Sequence, residues 1–172
     1  FFLSMALATF IGGLVGHAFL YYLRFEWKLP GWIISMISVA FLERISIERA
    51  KPLMKKSIGY FFMRLNFVEL FCFIGLTVFS LNFSFVEVHA AYGMLVVVLS
   101  FEIFNLIKTD DISSKYMIAS VIVTTLAAII HIVKFSFSKW FNYFDIGHIL
   151  LAISSILIYN AAHHMETAEN KN

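Results

Sequence analysis

Four of the six histidines lie inside long apolar stretches, where an ionisable side chain is costly to bury and therefore indicates a function. They are His17, His89, His131 and His148. Asp145 precedes His148 by three residues, a spacing that places both side chains on one face of a helix. The other two histidines, His163 and His164, are adjacent at the end of the last apolar stretch, where we expect them to lie at the membrane interface.

The chemistry that these histidines favour is metal ligation. Neutral imidazole is the commonest metal ligand in proteins, and three histidines with one open position form a catalytic zinc site. We therefore predict His17, His131 and His148 as the preferred zinc ligands, with His89 as a further candidate. Asp145 would orient the His148 imidazole or act as general base. Two alternatives stay open: two of these histidines bind haem, or all of them form hydrogen bonds between packed helices.

A second group of polar side chains lies deeper in the same apolar stretches or toward the other membrane surface. We predict that Arg64 pairs with Glu43 or Glu102, because a buried charge needs a matching one. Glu69 lies near the middle of its stretch without an obvious partner in the sequence. The group is typical of an ion-pair network that holds helices together, or else of a path for protons or ions. Its members are Glu43, Arg44, Arg64, Asn66, Glu69, Glu102 and Asn105.

Six apolar stretches are long enough to carry these residues across a membrane as helices, each of which needs about 20 residues. Short loops make sequential helices antiparallel neighbours in an up-down arrangement. We therefore predict an all-α, polytopic integral membrane helix bundle over residues 1–164 and a polar C-terminal tail over residues 165–172. The chain begins at Phe1 without an initiator Met, which leaves room for a seventh helix upstream. The predicted helices cover residues 1–22, 31–49, 57–80, 85–107, 115–137 and 144–163.

The composition excludes soluble proteins and nucleic-acid-binding proteins. Of the 172 residues, 60% are hydrophobic and 14% are charged, whereas soluble domains have roughly 45–50% and 25%. A soluble chain of this length has too little interior to hide so much apolar surface. The net charge is only +2, and no basic run is interleaved with aromatic residues as in a nucleic-acid-binding face. We expect membrane lipids as partners, together with other membrane subunits.

The positions of Lys and Arg predict which helix ends face the cytoplasm, where short loops carry an excess of both. Seven lie after the second helix, after the fourth helix or in the tail, and four lie on the opposite side. The two sets are Arg49, Lys51, Lys55, Lys56, Lys108, Lys115 and Lys171 against Arg24, Lys28, Lys134 and Lys139. We therefore predict that both ends of the chain are cytoplasmic. Trp27, Trp32 and Trp140 fall on the other side as an aromatic belt, and the four membrane histidines share a depth near that surface.

The last predicted helix begins Asp145-Ile-Gly-His148-Ile-Leu-Leu-Ala, which resembles the last helix of the superfamily of alkaline ceramidases, adiponectin-type receptors and Sid-1-like proteins. Those proteins have seven membrane helices, and several are zinc-dependent hydrolases of lipid amides. Their last helix carries two zinc-binding histidines four residues apart, and here His148 matches the second while Phe144 stands at the first. The family also has a Ser four residues before a His in an early helix, and Gly13 stands at that position before His17.

The resemblance and the histidine layer together predict a zinc-dependent membrane hydrolase of a lipid-like substrate. The alternatives are a haem-binding electron-transfer membrane protein and a non-catalytic subunit of a larger membrane complex. An absorption spectrum distinguishes the haem protein from the other two. Elemental analysis for zinc distinguishes the hydrolase from the subunit.

Overall fold

The structure, a computed structural model, describes the backbone of residues 1–19 and 21–169, while the side chains of residue 17 and residues 166–169 fall outside the description. The described residues form helices and turns and contain no β-strand. Five helices are long and apolar enough to cross a membrane, and a shorter apolar helix covers Phe2–Gly16. The predicted all-α class with about six membrane helices is therefore confirmed.

Residues 1–97 form the first of two compact units. Helix α2 contacts α1, α3 and α4, which makes it the central element of this unit. A buried apolar cluster of Met36, Ala40, Leu70 and Val86 joins α2, α3 and α4. The helices are α1 (Phe2–Gly13), α2 (Leu29–Ala50), α3 (Lys56–Ser80) and α4 (Ser84–Tyr92), with π-helical turns at Leu14–Ala18 after α1 and at Gly93–Val98 after α4.

The described residues from Val98 onward form the second compact unit, with helices α5 (Leu99–Thr109), α6 (Ile112–Val133) and α7 (Tyr143–Glu169). Helix α6 packs along α7 and also contacts α5. Hydroxyl groups join the two long helices, since Thr124 Oγ1 lies 2.8 Å from Ser154 Oγ and the Ser154 hydroxyl donates to the Ser120 carbonyl at 3.2 Å. Helix α7 continues to Glu169, within the predicted polar tail.

Two helix ends differ from the sequence prediction for local reasons. The first helix was expected to reach residue 22, but its α-helical part ends at Gly13 and π-helical turns follow it to Ala18. Glycines in this stretch have poor helix propensity, which favours an early end. The fifth predicted helix was expected to reach residue 137, but α6 ends at Val133 because Lys134 adopts a left-handed conformation with φ 54°.

The turn between α5 and α6 shows how the sequence ends one membrane helix and begins the next within two residues. Asp110 adopts a left-handed conformation with φ 48° that closes α5, a conformation that Asp tolerates better than most residues. Asp111 then caps α6, since its carboxylate accepts a hydrogen bond from the Ser113 backbone N–H at 3.0 Å.

Candidate metal centre

Three helices of the first unit bring two carboxylates and one imidazole together. Glu43 lies on α2, Glu69 on α3 and His89 on α4, and one potential ligand atom from each lies within 4.8 Å of the other two. Across the part of the chain that the structure describes, this is the one group of three or more His, Cys, Asp or Glu side chains with such spacing. The three residues are therefore the candidate metal centre.

His89 is held by hydrogen bonds at both ring nitrogens. Its Nδ1 lies 2.7 Å from Glu69 Oε1, and its Nε2 lies 3.0 Å from the Met36 carbonyl oxygen. A carbonyl oxygen only accepts, so Nε2 carries a proton and donates it. Nδ1 is then either protonated toward Glu69 or available as a metal ligand. A metal-binding histidine commonly donates its second ring N–H to a backbone carbonyl, which fixes the tautomer.

Glu43 is fully buried and only partly satisfied. Its Oε2 accepts a hydrogen bond from Asn66 Nδ2 at 3.0 Å, and the same Asn66 amide donates to the Ala40 carbonyl at 3.4 Å. Neither Glu43 Oε1 nor Glu69 Oε2 has a hydrogen-bond partner among the described residues. Buried polar atoms without partners are rare in proteins, and each calls for an explanation such as a bound ion or water.

Gly93 makes room for the Glu43 carboxylate. It follows His89 by four residues, at the point where α4 gives way to π-helical turns. A Cβ atom at this position would collide with Glu43 Oε1 and would lie 2.6 Å from Val39 Cγ1. The close approach of α2 to this helix therefore requires glycine. Single π-helical segments inside α-helices frequently mark functional sites.

The spacing of the buried residues along α2 places Glu43 on the buried face of this helix. Buried residues recur along this helix at spacings of three and four residues, which is the pattern of one helical face. Glu43 thus occupies a core position in which an apolar residue would otherwise be expected. The residues of this face include Met36, Ala40, Glu43 and Ile47. Two features of the sequence could have identified the site. Glu43 falls at a position where the helical periodicity of α2 predicts a buried apolar residue, and Gly93 follows His89 by one helical turn.

The structure joins one of the four predicted histidine ligands, His89, to other possible ligands. His17 lies in the π-helical turns after α1, and its side chain is outside the described residues. His131 packs its ring against Phe144 with centroids 5.3 Å apart, and His148 Nδ1 donates to the Phe144 carbonyl at 2.6 Å. Metal ligation by His17, His131 and His148 stays a prediction.

Asp145 takes part in capping α7. The Asn142 backbone N–H donates to Asp145 Oδ2 at 2.9 Å, and the Phe144 N–H donates to Asn142 Oδ1 at 2.8 Å. Reciprocal bonds of this kind resemble a capping box, which satisfies N–H groups at the start of a helix. The Asp-x-x-His segment therefore has a structural use in this chain, and the general-base role of Asp145 stays a prediction.

Arg64 does not form the ion pair that the sequence suggested. It lies exposed on α3, and no ion pair involving it occurs among the described residues. Glu43 instead accepts from Asn66, and Glu102 accepts from the Ser114 hydroxyl at 2.8 Å. Glu69, for which the sequence offered no partner, is paired with His89.

Comparison with known proteins identifies a family but no activity. The model of a family of unknown function, DUF6962, matches residues 1–167 of the chain. No curated protein and no solved structure matches the chain.

Proposed function

The chain belongs to this family of unknown function, and from the geometry of the candidate centre we propose that it is a zinc-binding membrane protein. Glu43, Glu69 and His89 supply the ligands. The observation that supports the proposal is the convergence of these three side chains in the interior of the first unit, with carboxylate oxygens that lack partners among the described residues.

The ligand set has the chemistry that zinc accepts. Zinc binds histidine nitrogen and carboxylate oxygen at about 2.0–2.2 Å, usually with four ligands in all. Two ligands on one tetrahedral ion are then about 3.4 Å apart. The ligand atoms lie within 4.8 Å of one another, so the cluster would have to close around the ion. His89 Nδ1 and Glu69 Oε1 are hydrogen-bonded at 2.7 Å, and this contact would have to open slightly for both atoms to bind the same ion. The His89 N–H that donates to the Met36 carbonyl would hold the ring in the tautomer that zinc needs.

Charge balance also favours a divalent cation. With both carboxylates ionised and the imidazole neutral, the cluster would carry a charge of −2, and uncompensated buried charge is strongly unfavourable in an apolar medium. A divalent ion would cancel this charge and would give the unpaired oxygens of Glu43 and Glu69 a partner. Asn66 would hold the second oxygen of Glu43 and orient its carboxylate toward the ion.

The reaction that this centre supports is hydrolysis of a lipid-like substrate. Zinc held by three protein ligands keeps a fourth position open, at which it activates water as a nucleophile. Glu69 is the ligand with residual exposure, 9% of its side chain against none for His89, and it therefore marks the side from which water and substrate would approach. The three ligands lie on helices long and apolar enough to cross a membrane, so the substrate would be apolar enough to dissolve among lipids.

A second candidate function is that of a non-catalytic membrane subunit. The observation that favours it is the pair between His89 and Glu69, in which both nitrogens of the ring already have partners within the protein. In that case the three residues serve helix packing and bind no ion.

Zinc content of the purified full chain tests the proposal. We expect about one zinc ion per chain in detergent after exposure to micromolar zinc. Glu43→Gln and His89→Gln should lower the content to background, because each removes one of three ligands. Glu102→Gln is the matched control, since it alters a fully buried carboxylate of the second unit that accepts from Ser114; its zinc content should equal that of the native chain.

Absence of bound zinc in a folded native chain would reject the zinc centre and leave the subunit function. Circular dichroism and thermal melting establish that each variant is folded. A haem absorption band in the purified native protein would instead support the electron-transfer alternative.

A further inference from the structure

A second feature, separate from the candidate metal centre, is a row of side chains on the exposed side of α3. Tyr60, Arg64, Phe67 and Phe71 follow one another at spacings of four, three and four residues, so they lie on one face of the helix. All four are exposed, with Tyr60 56% and Phe71 67% accessible. The row changes from polar to apolar with distance from the start of α3.

Two cations from the α2 side lie over the aromatic rings of this row. The Arg44 guanidinium lies 4.6 Å from the centroid of the Phe67 ring, and Lys51 Nζ lies 5.3 Å from that of Tyr60. Arg64 stands between these rings in the sequence of α3. Arg44 and Lys51 thus each lie over one ring of the row, and Arg64 occupies the same helix face between the two ring positions. We call this surface the cationic face; it consists of Arg44, Lys51, Tyr60, Arg64 and Phe67.

The positive charge of the cationic face is only partly matched within the described residues. Lys51 pairs with Glu48 at 2.6 Å, but no carboxylate partner of Arg44 or Arg64 occurs in the described part of the chain. Arg44 Nη1 is buried there without a hydrogen-bond acceptor. Two guanidinium groups of the cationic face thus have no carboxylate partner among the described residues. Guanidinium groups bind phosphate oxygens strongly through paired N–H donors.

The depth of both arginines suits a lipid headgroup. Arg44 precedes the end of α2 at Ala50 by six residues, or about 9 Å, and Arg64 follows the start of α3 at Lys56 by eight residues, or about 12 Å. Long Arg side chains extend from such positions toward the membrane surface. The exposed lysine at position 55 adds positive charge at the same end of the two helices.

We propose that the cationic face binds the phosphate of an anionic phospholipid. Arg44 and Arg64 donate hydrogen bonds to the phosphate oxygens, and the Tyr60 hydroxyl donates a further one. An acyl chain lies along Phe67 and Phe71, deeper on the same row. The apolar continuation of the row favours a lipid over free phosphate, because inorganic phosphate has nothing to place against the two phenylalanine rings. Basic sites between membrane helices recognise anionic headgroups in this way.

Native mass spectrometry of the full chain in detergent tests this assignment. The chain is titrated in parallel with phosphatidylglycerol, with phosphatidylcholine and with phosphatidylglycerol plus excess inorganic phosphate. We expect the native chain to retain phosphatidylglycerol over phosphatidylcholine. Arg44→Gln/Arg64→Gln should bind phosphatidylglycerol about 25-fold more weakly, since each cation near an anionic lipid contributes roughly a fivefold change. Arg24→Gln/Lys139→Gln, which removes two exposed positive charges elsewhere, is the matched control and should bind as the native chain does.

Three results would overturn the proposal: equal binding of both lipids by the native chain, equal loss in the control variant, or complete displacement of the lipid by inorganic phosphate. The last result would assign the site to a soluble anion. If the double variant fails to fold, the exposed single variant Arg64→Gln decides the question, and Arg64→Lys should retain most of the binding because the charge remains. The cationic face contains no ligand of the candidate metal centre, so zinc content should be unchanged in these variants.

Discussion

A cluster of ionisable side chains lies inside the first unit, whereas a seam of hydroxyl groups lies between α6 and α7 of the second. In the first unit, Glu43 and His89 are fully buried, and oxygens of Glu43 and Glu69 lack partners among the described residues. In the second, the Ser154 hydroxyl lies 2.8 Å from Thr124 Oγ1 and 3.2 Å from the Ser120 carbonyl.

The buried carboxylates of the first unit and the hydroxyl groups of the second unit differ in how many hydrogen bonds they need inside apolar helices. A hydroxyl is neutral, and one or two hydrogen bonds satisfy it, so the seam explains how α6 and α7 pack and requires nothing further. A carboxylate carries charge and up to four acceptor sites, which neighbouring side chains rarely fill. We therefore propose a ligand for the buried carboxylates with open oxygens, and we interpret the satisfied hydroxyls as packing groups.

The largest effect that we expect comes from removing the partner of His89. Glu69→Leu should lower the free energy of unfolding by about 3–5 kcal/mol, because the imidazole stays buried after its charged partner is lost. Chemical denaturation in detergent micelles measures the change. Glu87→Leu is the control on the exposed surface of α4 and should change stability by about 1 kcal/mol or less. If the double variant Glu69→Leu/His89→Leu is as stable as the native chain, the pair serves packing alone.

A smaller loss should follow from filling the space beside Glu43. Gly93→Ala should lower stability by about 1–3 kcal/mol, because the new methyl group collides with the Glu43 carboxylate and Val39. Zinc binding should weaken in the same variant. Gly75→Ala on α3 is the matched control, since a Cβ at that position meets nothing within 4 Å; there alanine should be neutral or stabilising. Equal melting temperatures for the two variants would refute the close approach at Gly93.

The two buried asparagines provide a direct comparison of the units. Asn66→Ala should weaken zinc binding about 10–100-fold, as the loss of an orienting group does, because Glu43 Oε2 loses its donor. Asn105→Ala is the counterpart in the second unit; no hydrogen bond joins the Asn105 amide to a carboxylate of the candidate metal centre, so its removal should leave zinc binding intact. Zinc titration followed by a competing chelator measures both. If Asn105→Ala weakened zinc binding more than Asn66→Ala, Glu43 would not be a ligand of the metal centre.

The smallest expected effect concerns the hydroxyl seam. Ser154→Ala should destabilise the chain by about 0.6 kcal/mol, the average for hydrogen bonds between membrane helices. Ser155→Ala is the control, because the Ser155 hydroxyl bonds to the Leu151 carbonyl of its own helix. Thermal melting measures the stability of both variants, and elemental analysis measures their zinc content. A fall in zinc content after Ser154→Ala would contradict the separation of packing from ligand binding.

The sequence by itself determined the class of this protein and the extent of most of its helices. Apolar stretches of about 20 residues leave a chain no stable alternative to helices in lipid, because each backbone polar group must be bonded within its own segment. The prediction was weakest at Leu14–Ala18, where π-helical turns replace a regular α-helix. That exception is local, because the poor helix propensity of the glycines near the end of α1 opposes the continuous helix that the apolar pattern predicts.

Only the tertiary structure decided which ionisable residues meet. The sequence identified His89 and Glu69 separately, but it grouped His89 with other histidines by depth and left Glu69 without a partner. Their contact joins positions 20 residues apart, and that of His89 with Met36 joins positions 53 apart. Depth along a helix follows from counting residues, whereas the direction in which a side chain points depends on how the helix rotates against its neighbours. That rotation is set by packing, here including the absence of a side chain at Gly93.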